Sequence, residues 1–214
     1  MKADLHIHTK YSIDCNTSLE QIISRCQKTG INCIAVTDHG TIEGALKMQS
    51  IAPFLVIVAE EILTPDGEIM GMFLREGIPS GLSVKETISR IKAQDALVSI
   101  PHPFDIFRRS ALDGKIIEEL VEQIDVIEVF NSRSLLYRSS AKAQIFAQKY
   151  GIPGSAGSDA HTHYEIGNAY VEMPEFNGKD DFLNALAKGR IFGRRTNPLV
   201  HLNSAWLRLK SNLR

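Results

Sequence analysis

The chain has few cysteines, almost no net charge and no long apolar segment, and each shortage excludes a class of protein. Its three cysteines, Cys15, Cys26 and Cys33, are an odd number without C-x-x-C spacing, which argues against a disulfide framework and favours a reducing compartment. The formal net charge of −1 leaves no overall basic field for bulk nucleic-acid binding. No apolar run approaches the ~20 residues of a membrane span, and no apolar leader is present. We therefore expect a cytoplasmic protein without a membrane partner.

Linkers, low-complexity tracts and internal repeats are also missing, so the sequence predicts a single domain over residues 1–214. Short apolar runs alternate with helical patterns along this length. The runs that we interpret as buried strands are 32–37, 54–59, 69–74, 96–100 and 126–130. Between them, Thr17-x-x-Glu20 and Ser83-x-x-Glu86 have the form of helix capping boxes. Strands that alternate with helices predict βα units and a mostly parallel sheet, which is the α/β class.

Histidines and carboxylates collect where the predicted strands end. His6 and His8 lie on one face of the first strand because strand side chains alternate with period two. The other residues of this kind near strand ends are Asp14, Asp38, His39, Glu60, Glu61, Glu68, His102, Asp159 and His161. In a parallel α/β barrel the carboxyl ends of the strands meet at one rim. Mixed imidazole and carboxylate clusters suit hydrolytic metal sites, so the sequence predicts a metallohydrolase.

Five motifs in this order resemble those of the PHP family, named for polymerase and histidinol phosphatase. They are Asp4-Leu5-His6-Ile7-His8-Thr9, Thr37-Asp38-His39-Gly40, Glu61, Ile100-Pro101-His102-Pro103 and Gly157-Ser158-Asp159-Ala160-His161. The resemblance covers residues 3 to 195, and an ordered set is far more specific than a lone H-x-H. It implies a distorted, TIM-like (βα)7 barrel that binds two or three divalent ions of manganese, iron or zinc and hydrolyses phosphate esters.

The resemblance also implies which residues bind the metals. The ligands would be His6, His8, Glu61 and Asp159 for one ion, Glu61, Glu68 and His102 for the second, and Asp14, His39 and His161 for the third. Glu68 stands where many relatives have histidine, and its carboxylate would favour harder cations. Asp14 has an alternative interpretation as a helix cap, and Glu68 as a turn residue. The family pattern favours Glu61 over Glu60 as the bridging carboxylate.

A metal-activated hydroxide is the nucleophile that this chemistry implies, with His102 or His161 passing a proton to the leaving oxygen. The arginines predicted to bind substrate phosphate are Arg108, Arg109, Arg194 and Arg195. Such pairs are also typical of solvated surface. Arg133 and Arg138, which follow the strand that ends at Phe130, are further cations near the rim. The aromatic residues available to stack on a base are Phe104, Phe107 and Tyr164. The predicted substrate is therefore a small phosphorylated molecule, a nucleotide or the end of an oligonucleotide.

Two other functions remain open from the sequence. One is histidinol-phosphate phosphatase, for which the chain is short, and the other is a non-catalytic, metal-binding scaffold subunit. A C–N hydrolase is less favoured, since no lysine near a strand end suggests a carbamylated bridge. For Glu128 and Asn131, beside a predicted strand end, the sequence leaves three roles open: supporting a metal ligand, capping a helix, or neither. The tail at 199–214 contains Trp206 and packs either on the barrel base or on a second subunit, and the sequence predicts no oligomeric state.

Overall fold

Strands and helices alternate along the part of the chain that this computed structural model describes, residues 1–211. The strands are β1 (Lys2–Ile7), β2 (Cys33–Val36), β3 (Leu55–Thr64), β4 (Gly67–Met72), β5 (Leu97–Ile100), β6 (Val126–Asn131), β7 (Gly154–Gly157), β8 (Ala169–Glu172) and β9 (Arg190–Gly193). The helices are α1 (Leu19–Thr29), α2 (Glu43–Ile51), α3 (Val84–Ala93), α4 (Gly114–Glu119), α5 (Tyr137–Tyr150), α6 (Lys179–Ala187) and α7 (Val200–Ser211), with a short 3-10 helix at Val121–Gln123. None of the described helices combines the length and the apolar character needed to cross a membrane.

One sheet runs through these strands and curls until its parallel ends meet. Its order is β7-β6-β5-β4-β3-β2-β1-β8-β9, with parallel pairing from β1 to β3 and from β5 to β7. Just beyond β7, the amide of Asp159 donates to the carbonyl of His6 at 2.7 Å, and the amide of His8 donates to the carbonyl of Ala160 at 3.0 Å. These bonds join the last parallel strand to the first. The prediction of an α/β, distorted TIM-like barrel is confirmed.

The barrel departs from regular βα units in two places. β4 is antiparallel to both of its neighbours, because only Pro65 and Asp66 separate it from β3 and a parallel return needs a dozen or more residues. β8 and β9 form a further antiparallel pair. The apolar runs of the sequence do not indicate this pair, since both strands are short and partly exposed. β3 also continues to Thr64, past the predicted end at residue 59.

Ser18, rather than Thr17, begins the first helix. The Ser18 hydroxyl accepts a hydrogen bond from the Gln21 amide at 3.3 Å, and the Gln21 side chain accepts one from the Ser18 amide at 2.9 Å. The capping box therefore lies one residue later than predicted. Thr17 instead donates its hydroxyl to the carbonyl of His161 at 3.1 Å. At the second predicted box, the Ser83 hydroxyl caps α3 as expected.

Alternation along the strands divides the buried side chains between two faces. Val56 and Val58 of β3 belong to the apolar cluster that includes helix residues of α1 to α5. Ile57 and Ala59 belong to a second cluster, which includes Phe182 of α6. The same alternation continues into the next two residues of β3, which are both glutamates. These glutamates therefore point to opposite faces of the sheet.

The C-terminal helix α7 lies near the carboxyl ends of the strands. The Ser204 hydroxyl accepts from the guanidinium of Arg133, which follows β6, at 2.7 Å. The tail therefore packs at the rim rather than on the barrel base. Trp206 is 66% exposed. Residues 212–214 of the predicted tail lie outside the described residues.

We expect replacement of Gly157 by alanine to destabilise the closed barrel. A Cβ atom at this position would lie 2.2 Å from the Cβ of His6 and 2.8 Å from its backbone nitrogen, so β1 or β7 must move. Overpacking of this kind costs ~1–3 kcal/mol, which should lower the melting temperature by roughly 2–12 °C. The matched control is Gly77→Ala, whose Cβ would meet the Glu60 carboxylate at an ordinary 3.7 Å. Equal melting temperatures by circular dichroism would contradict this account of barrel closure.

Candidate metal site

The residues predicted to bind metal lie together at the carboxyl end of the barrel. β1 and the residue after it supply His6 and His8, and β3 supplies Glu61. β4 runs antiparallel to β3 and therefore starts at this same rim, where its second residue, Glu68, lies. The remaining members follow strands β1, β2, β5 and β7, and they are Asp14, His39, His102, Asp159 and His161. All of these side chains are buried except that of His39, which is 10% exposed.

The first group of donor atoms comes from His8, Asp14, His39 and His161, whose ligand atoms all lie within 4.8 Å of one another. Asp14 Oδ2 is 3.0 Å from Nε2 of His161 and 3.4 Å from Nε2 of His39. Asp14 does not cap α1, since Ser18 is the N-cap. The family resemblance placed three of these residues on one ion, and the structure adds His8 to them.

The second group is formed by His6, His8, Glu61 and Asp159. The Nε2 atoms of the two histidines lie 3.2 Å apart. Glu61 Oε2 is 3.4 Å from each of them, and Asp159 Oδ1 is 3.6 Å from His6 and 3.4 Å from His8. These are the four residues that the resemblance assigned to one ion.

The third group contains His39, Glu61, Glu68 and His102. His39 Nδ1 is 3.6 Å from Glu61 Oε2 and 3.7 Å from Glu68 Oε1. His102 Nε2 is 2.8 Å from Glu61 Oε1 and 3.4 Å from Glu68 Oε2. Glu68 therefore faces the cluster and is not only a turn residue. Glu61 contributes to the second and third groups, which is the position that a bridging ligand would need.

The unsatisfied atoms of the cluster fit a divalent cation. Within the described residues, five of the metal-site residues each have a buried side-chain atom without a hydrogen-bond partner, and they are His8 (Nδ1), Glu61 (Oε2), Glu68 (Oε2), His102 (Nδ1) and Asp159 (Oδ1). Leaving buried carboxylate oxygens unpaired is costly unless a cation compensates them. Imidazole nitrogens mixed with carboxylate oxygens are ligands that zinc, manganese and iron accept. The residues present therefore fit a metal site of two or three ions.

Two buried carboxylates near the motifs point elsewhere. Glu60 lies on the helix-facing side of β3, where its Oε2 accepts from the Ile78 amide at 2.8 Å. Burial raises the pKa of Glu60 to about 7. Asp38 accepts from both the amide and the hydroxyl of Thr9 at 2.6 Å, so it fixes the loop after β1. The structure thus places Glu61, rather than Glu60, in the cluster.

Charge compensation sets the protonation of the cluster. Burial alone would lower the pKa of His8, but the carboxylates of Asp159 and Glu61 raise it to about 9. Burial would raise the pKa of Glu61, yet neighbouring histidines hold it well below its usual range. In contrast, burial and the positive charge of His8 lower the pKa of His161 to about 3. Near pH 7, buried carboxylates therefore face a protonated His8 and a neutral His161.

Glu128 of β6 supports the cluster from outside. Its Oε1 lies 3.1 Å from His6 Nδ1, and its Oε2 accepts from the amide of His102 at 2.6 Å and from Asn131 Nδ2 at 3.0 Å. Asn131 also donates to Asp159 Oδ2 at 3.3 Å. Because Glu128 holds Nδ1 of His6, Nε2 of the same ring faces the donor groups. Hydrogen-bond partners of this kind orient metal ligands. Of the three roles that the sequence left open for Glu128 and Asn131, the structure favours the support of metal ligands.

A cleft of about 480 Å³ opens beside the cluster, and Asp14 and His161 form part of its wall. Arg108 lines it and donates from Nη2 to Asp159 Oδ2 at 2.6 Å. Arg133, which follows β6, also lines it. Its position just after a predicted strand is the sequence signal that made it a candidate for substrate binding. Phe107 lines the same cleft and is 62% exposed.

The other predicted arginines are not in the lining of the cleft. Arg109 is exposed. Arg194 donates from Nε to Asn168 Oδ1 at 2.9 Å. Arg195 donates to the carbonyl of Ser134, and its guanidinium carbon lies 4.3 Å from the Tyr137 ring centroid. These contacts serve packing around β9 and α5 rather than a ligand in the cleft.

Comparison with known proteins identifies relatives of this arrangement. A PHP domain model matches residues 4–54, and a PHP-associated model matches residues 138–191. An uncharacterised protein of Methanocaldococcus jannaschii is 36% identical over 197 residues, which is 87% of this chain and 79% of that protein. The two matched segments contain His6, His8, Asp14 and His39 near one end of the chain and Asp159 and His161 near the other.

Solved structures share the fold. A two-domain protein from Bacteroides vulgatus, described as containing a predicted PHP-like metal-dependent phosphoesterase, superposes with a TM-score of 0.70 at 17% identity. The match covers 91% of this chain and 65% of that protein, so this chain spans less than two thirds of it. PsfC from Pseudomonas syringae superposes with a TM-score of 0.69 at 12% identity, over 98% of both chains. At these identities the likeness is one of fold.

We expect Glu128→Gln to weaken metal binding while the protein stays folded. Glu128 Oε2 accepts from His102 and Asn131 and its Oε1 faces His6 Nδ1, so an amide would place an NH2 group against one of these partners. Loss of an outer hydrogen bond to a metal ligand typically lowers metal affinity about 10–100-fold. Competition with a chromophoric chelator measures the affinity, and the visible spectrum of the cobalt form reports ligand geometry. Glu119→Gln, at an exposed position, is the control, and identical affinities for the two variants would contradict this role.

Metal binding should release protons and strengthen as the pH rises toward 9. His8, whose pKa is about 9, must lose its proton before Nε2 can act as a ligand. Deprotonation of His8 alone should raise the apparent metal affinity by up to about tenfold per pH unit between pH 7 and 8.5. In the metal-free chain the same raised pKa contributes stability that is complete below the ordinary value of 6.5 and is lost as the pH rises through about 9. Calorimetric titration with Mn²⁺ in two buffers of different ionisation enthalpy counts the protons, and a count of zero at pH 7.5 would refute the expectation.

Proposed function

The chain belongs to the PHP family of metal-dependent phosphoesterases, and from this premise we propose that it hydrolyses phosphate esters of nucleotides or of oligonucleotide ends. The proposal is supported by the donor groups at the rim and by the cationic cleft beside them. Both features lie at the carboxyl ends of the strands, where barrel enzymes bind substrate.

One observation supports the proposal more than any other. Glu61 Oε2 and Asp159 Oδ1 are buried without hydrogen-bond partners, and both lie within 3.6 Å of the Nε2 atoms of His6 and His8. Buried carboxylate oxygens destabilise a fold unless a positive charge compensates them, so the arrangement supports a bound cation. Hydrolytic activity is what separates a phosphoesterase from a non-catalytic scaffold that binds the same metal.

The chain's own residues divide between holding cations and holding substrate. Divalent ions bound by the three groups would activate water and neutralise charge on the phosphoryl oxygens. His161 is neutral near pH 7 because its pKa is about 3, so it suits a ligand better than a general acid. His102, the other predicted proton donor, has its Nε2 against Glu61 and Glu68, so it would pass a proton to the leaving oxygen only when that nitrogen does not hold a cation. Arg108 and Arg133, which line the cleft, are placed to bind phosphate oxygens.

A nucleotide fits the cleft better than histidinol phosphate does. Phe107 presents an exposed ring beside Arg108 and Arg133, and an aromatic ring next to guanidinium groups suits a base with its phosphate. The carboxylate of Asp105 also lines the cleft and accepts a hydrogen bond from the Phe107 amide at 3.2 Å. The predicted substrate class therefore remains a phosphorylated nucleotide or oligonucleotide end.

The test is a metal-dependent substrate panel with a matched variant. Protein loaded with Mn²⁺, Fe²⁺ or Zn²⁺ is assayed on p-nitrophenyl phosphate, nucleotides, nucleoside bisphosphates, short oligonucleotides and histidinol phosphate. We expect hydrolysis to be best on a nucleotide substrate. His8→Asn removes a residue shared by two donor groups and should lower kcat/KM by at least about 100-fold. Lys28→Glu, at an exposed position, should leave it unchanged.

Three results would overturn the proposal. The first is full activity after chelation and dialysis, since the chemistry would then not need a cation. The second is unchanged activity in His8→Asn, because the hydrolysis would then arise from another site or a contaminant. The third is hydrolysis of histidinol phosphate far above every nucleotide, which would support the other phosphatase function.

A further inference from the structure

A second cavity, of about 630 Å³, lies directly against the cleft of the metal site. Asp105 and Arg108 line both cavities, so the two cavities adjoin at these side chains. We call this second cavity the lysine groove. Its volume is within the range of ligand-binding sites. None of the metal-site residues lines the groove, so it does not belong to the donor groups themselves.

The floor of the lysine groove is aromatic and aliphatic. Phe104 and Phe146 lie there with their ring centroids 5.7 Å apart. Gly114 passes close to this floor, since a Cβ at that position would lie 3.1 Å from Phe104 Cε1. Ile145, on the wall of the groove, remains 65% exposed. An open aromatic floor of this kind suits a flat, apolar group such as a nucleobase.

Lysines lie on both sides of the lysine groove, whose lining also contains the carboxylates of Asp105, Asp113 and Glu118. Lys142 and Lys149 lie on one face of α5, three and four residues from Ile145, and Lys115 faces them from α4. Lys149 is 3.6 Å from Glu118. Among the described residues, Lys115 and Lys142 make no ion pair, and Lys142 Nζ lies 5.7 Å from the Phe104 ring centroid. Cations beside an aromatic floor are the combination that binds single-stranded nucleic acid.

The turn after β5 connects the two cavities. His102 and Phe104 both have positive φ angles, of 32° and 63°, and such strain in residues other than glycine is found at functional sites. In this turn His102 points to the third donor group, whereas Phe104 points into the lysine groove. One strained segment thus fixes a metal-site residue and the groove floor at once.

We propose that the lysine groove binds the nucleotide adjacent to the scissile phosphate, so that the preferred substrate is a single-stranded oligonucleotide rather than a mononucleotide. This inference rests on the proposed function and specifies its substrate. The base lies over Phe104, and the next phosphate lies between Lys115 and Lys142. Arg108 stands at the boundary, where it faces phosphate on either side.

A charge reversal tests the groove without touching the metal site. Fluorescence anisotropy measures binding of the Mn²⁺-loaded protein to a labelled pentathymidylate with phosphorothioate linkages, which resist hydrolysis. The double variant Lys115→Glu and Lys142→Glu changes two exposed residues and should weaken binding about tenfold or more. Its log Kd should also depend less steeply on log salt, by a slope of about 1.4 for two lost phosphate contacts. Phe104→Leu should weaken binding by roughly five- to hundredfold through lost stacking.

The matched control is the double variant Lys28→Glu and Lys85→Glu, which makes the same charge change at exposed positions outside both cavities. Equal binding by the two double variants, or no binding by the unmodified protein, would overturn the proposal. Hydrolysis of p-nitrophenyl phosphate, which is too small to need the groove, separates the two levels of inference. If this activity persists while groove variants bind the probe normally, only the groove assignment fails. If no ester is hydrolysed but the probe still binds through Lys115 and Lys142, the groove stands and the proposed function fails.

Discussion

Burial of carboxylates opposite imidazoles is the constraint on which this structure depends. Glu61 and Asp159 are almost completely removed from water, and a buried charge is tolerated only when it is paired. Asp159 meets Arg108 at 2.6 Å on one oxygen and faces His6 and His8 on the other. Asp159 therefore has one oxygen fixed by Arg108 and one turned to the donor groups, whereas both oxygens of Glu61 face histidines of those groups. Removing one of these histidines or Arg108 would leave a buried carboxylate without a compensating charge, so the members of the network depend on one another.

Barrel closure and site assembly are the same event in this fold. The backbone bonds that join β1 to the chain after β7 involve His6, His8 and Asp159 themselves, so the ends of the barrel cannot meet without bringing these ligands together. Gly157 permits the close approach, since a side chain there would collide with His6. β6 contributes no member of the donor groups, yet Glu128 holds His6 and the backbone of His102. The strand between two ligand-bearing elements thus sets their orientation.

Most of the rim could be predicted from the sequence because strands, unlike loops, fix side-chain direction. The apolar runs mark where β2, β5 and β6 end. The family pattern selected Glu61 over Glu60, and the period-two alternation of β3 is the physical reason why only Glu61 faces the cluster. The antiparallel course of β4 was not predicted, although the two-residue connection to β3 required it. Arg108 and Arg109 are neighbours, but only Arg108 enters the cleft. Loop dihedrals decide such cases, and a positive φ as at His102 has no signature in residues other than glycine.

The three donor groups differ in charge, and Glu68 is the reason. The first group combines one carboxylate with three imidazoles, whereas the third combines Glu61 and Glu68 with His39 and His102. Carboxylate-rich sites favour hard cations such as manganese, and imidazole-rich sites favour zinc or iron. A histidine at position 68 would make the groups more alike. The acidic residue instead concentrates negative charge at the end of the cluster formed by β3 and β4, so the donor chemistry favours a harder cation there than beside Asp14.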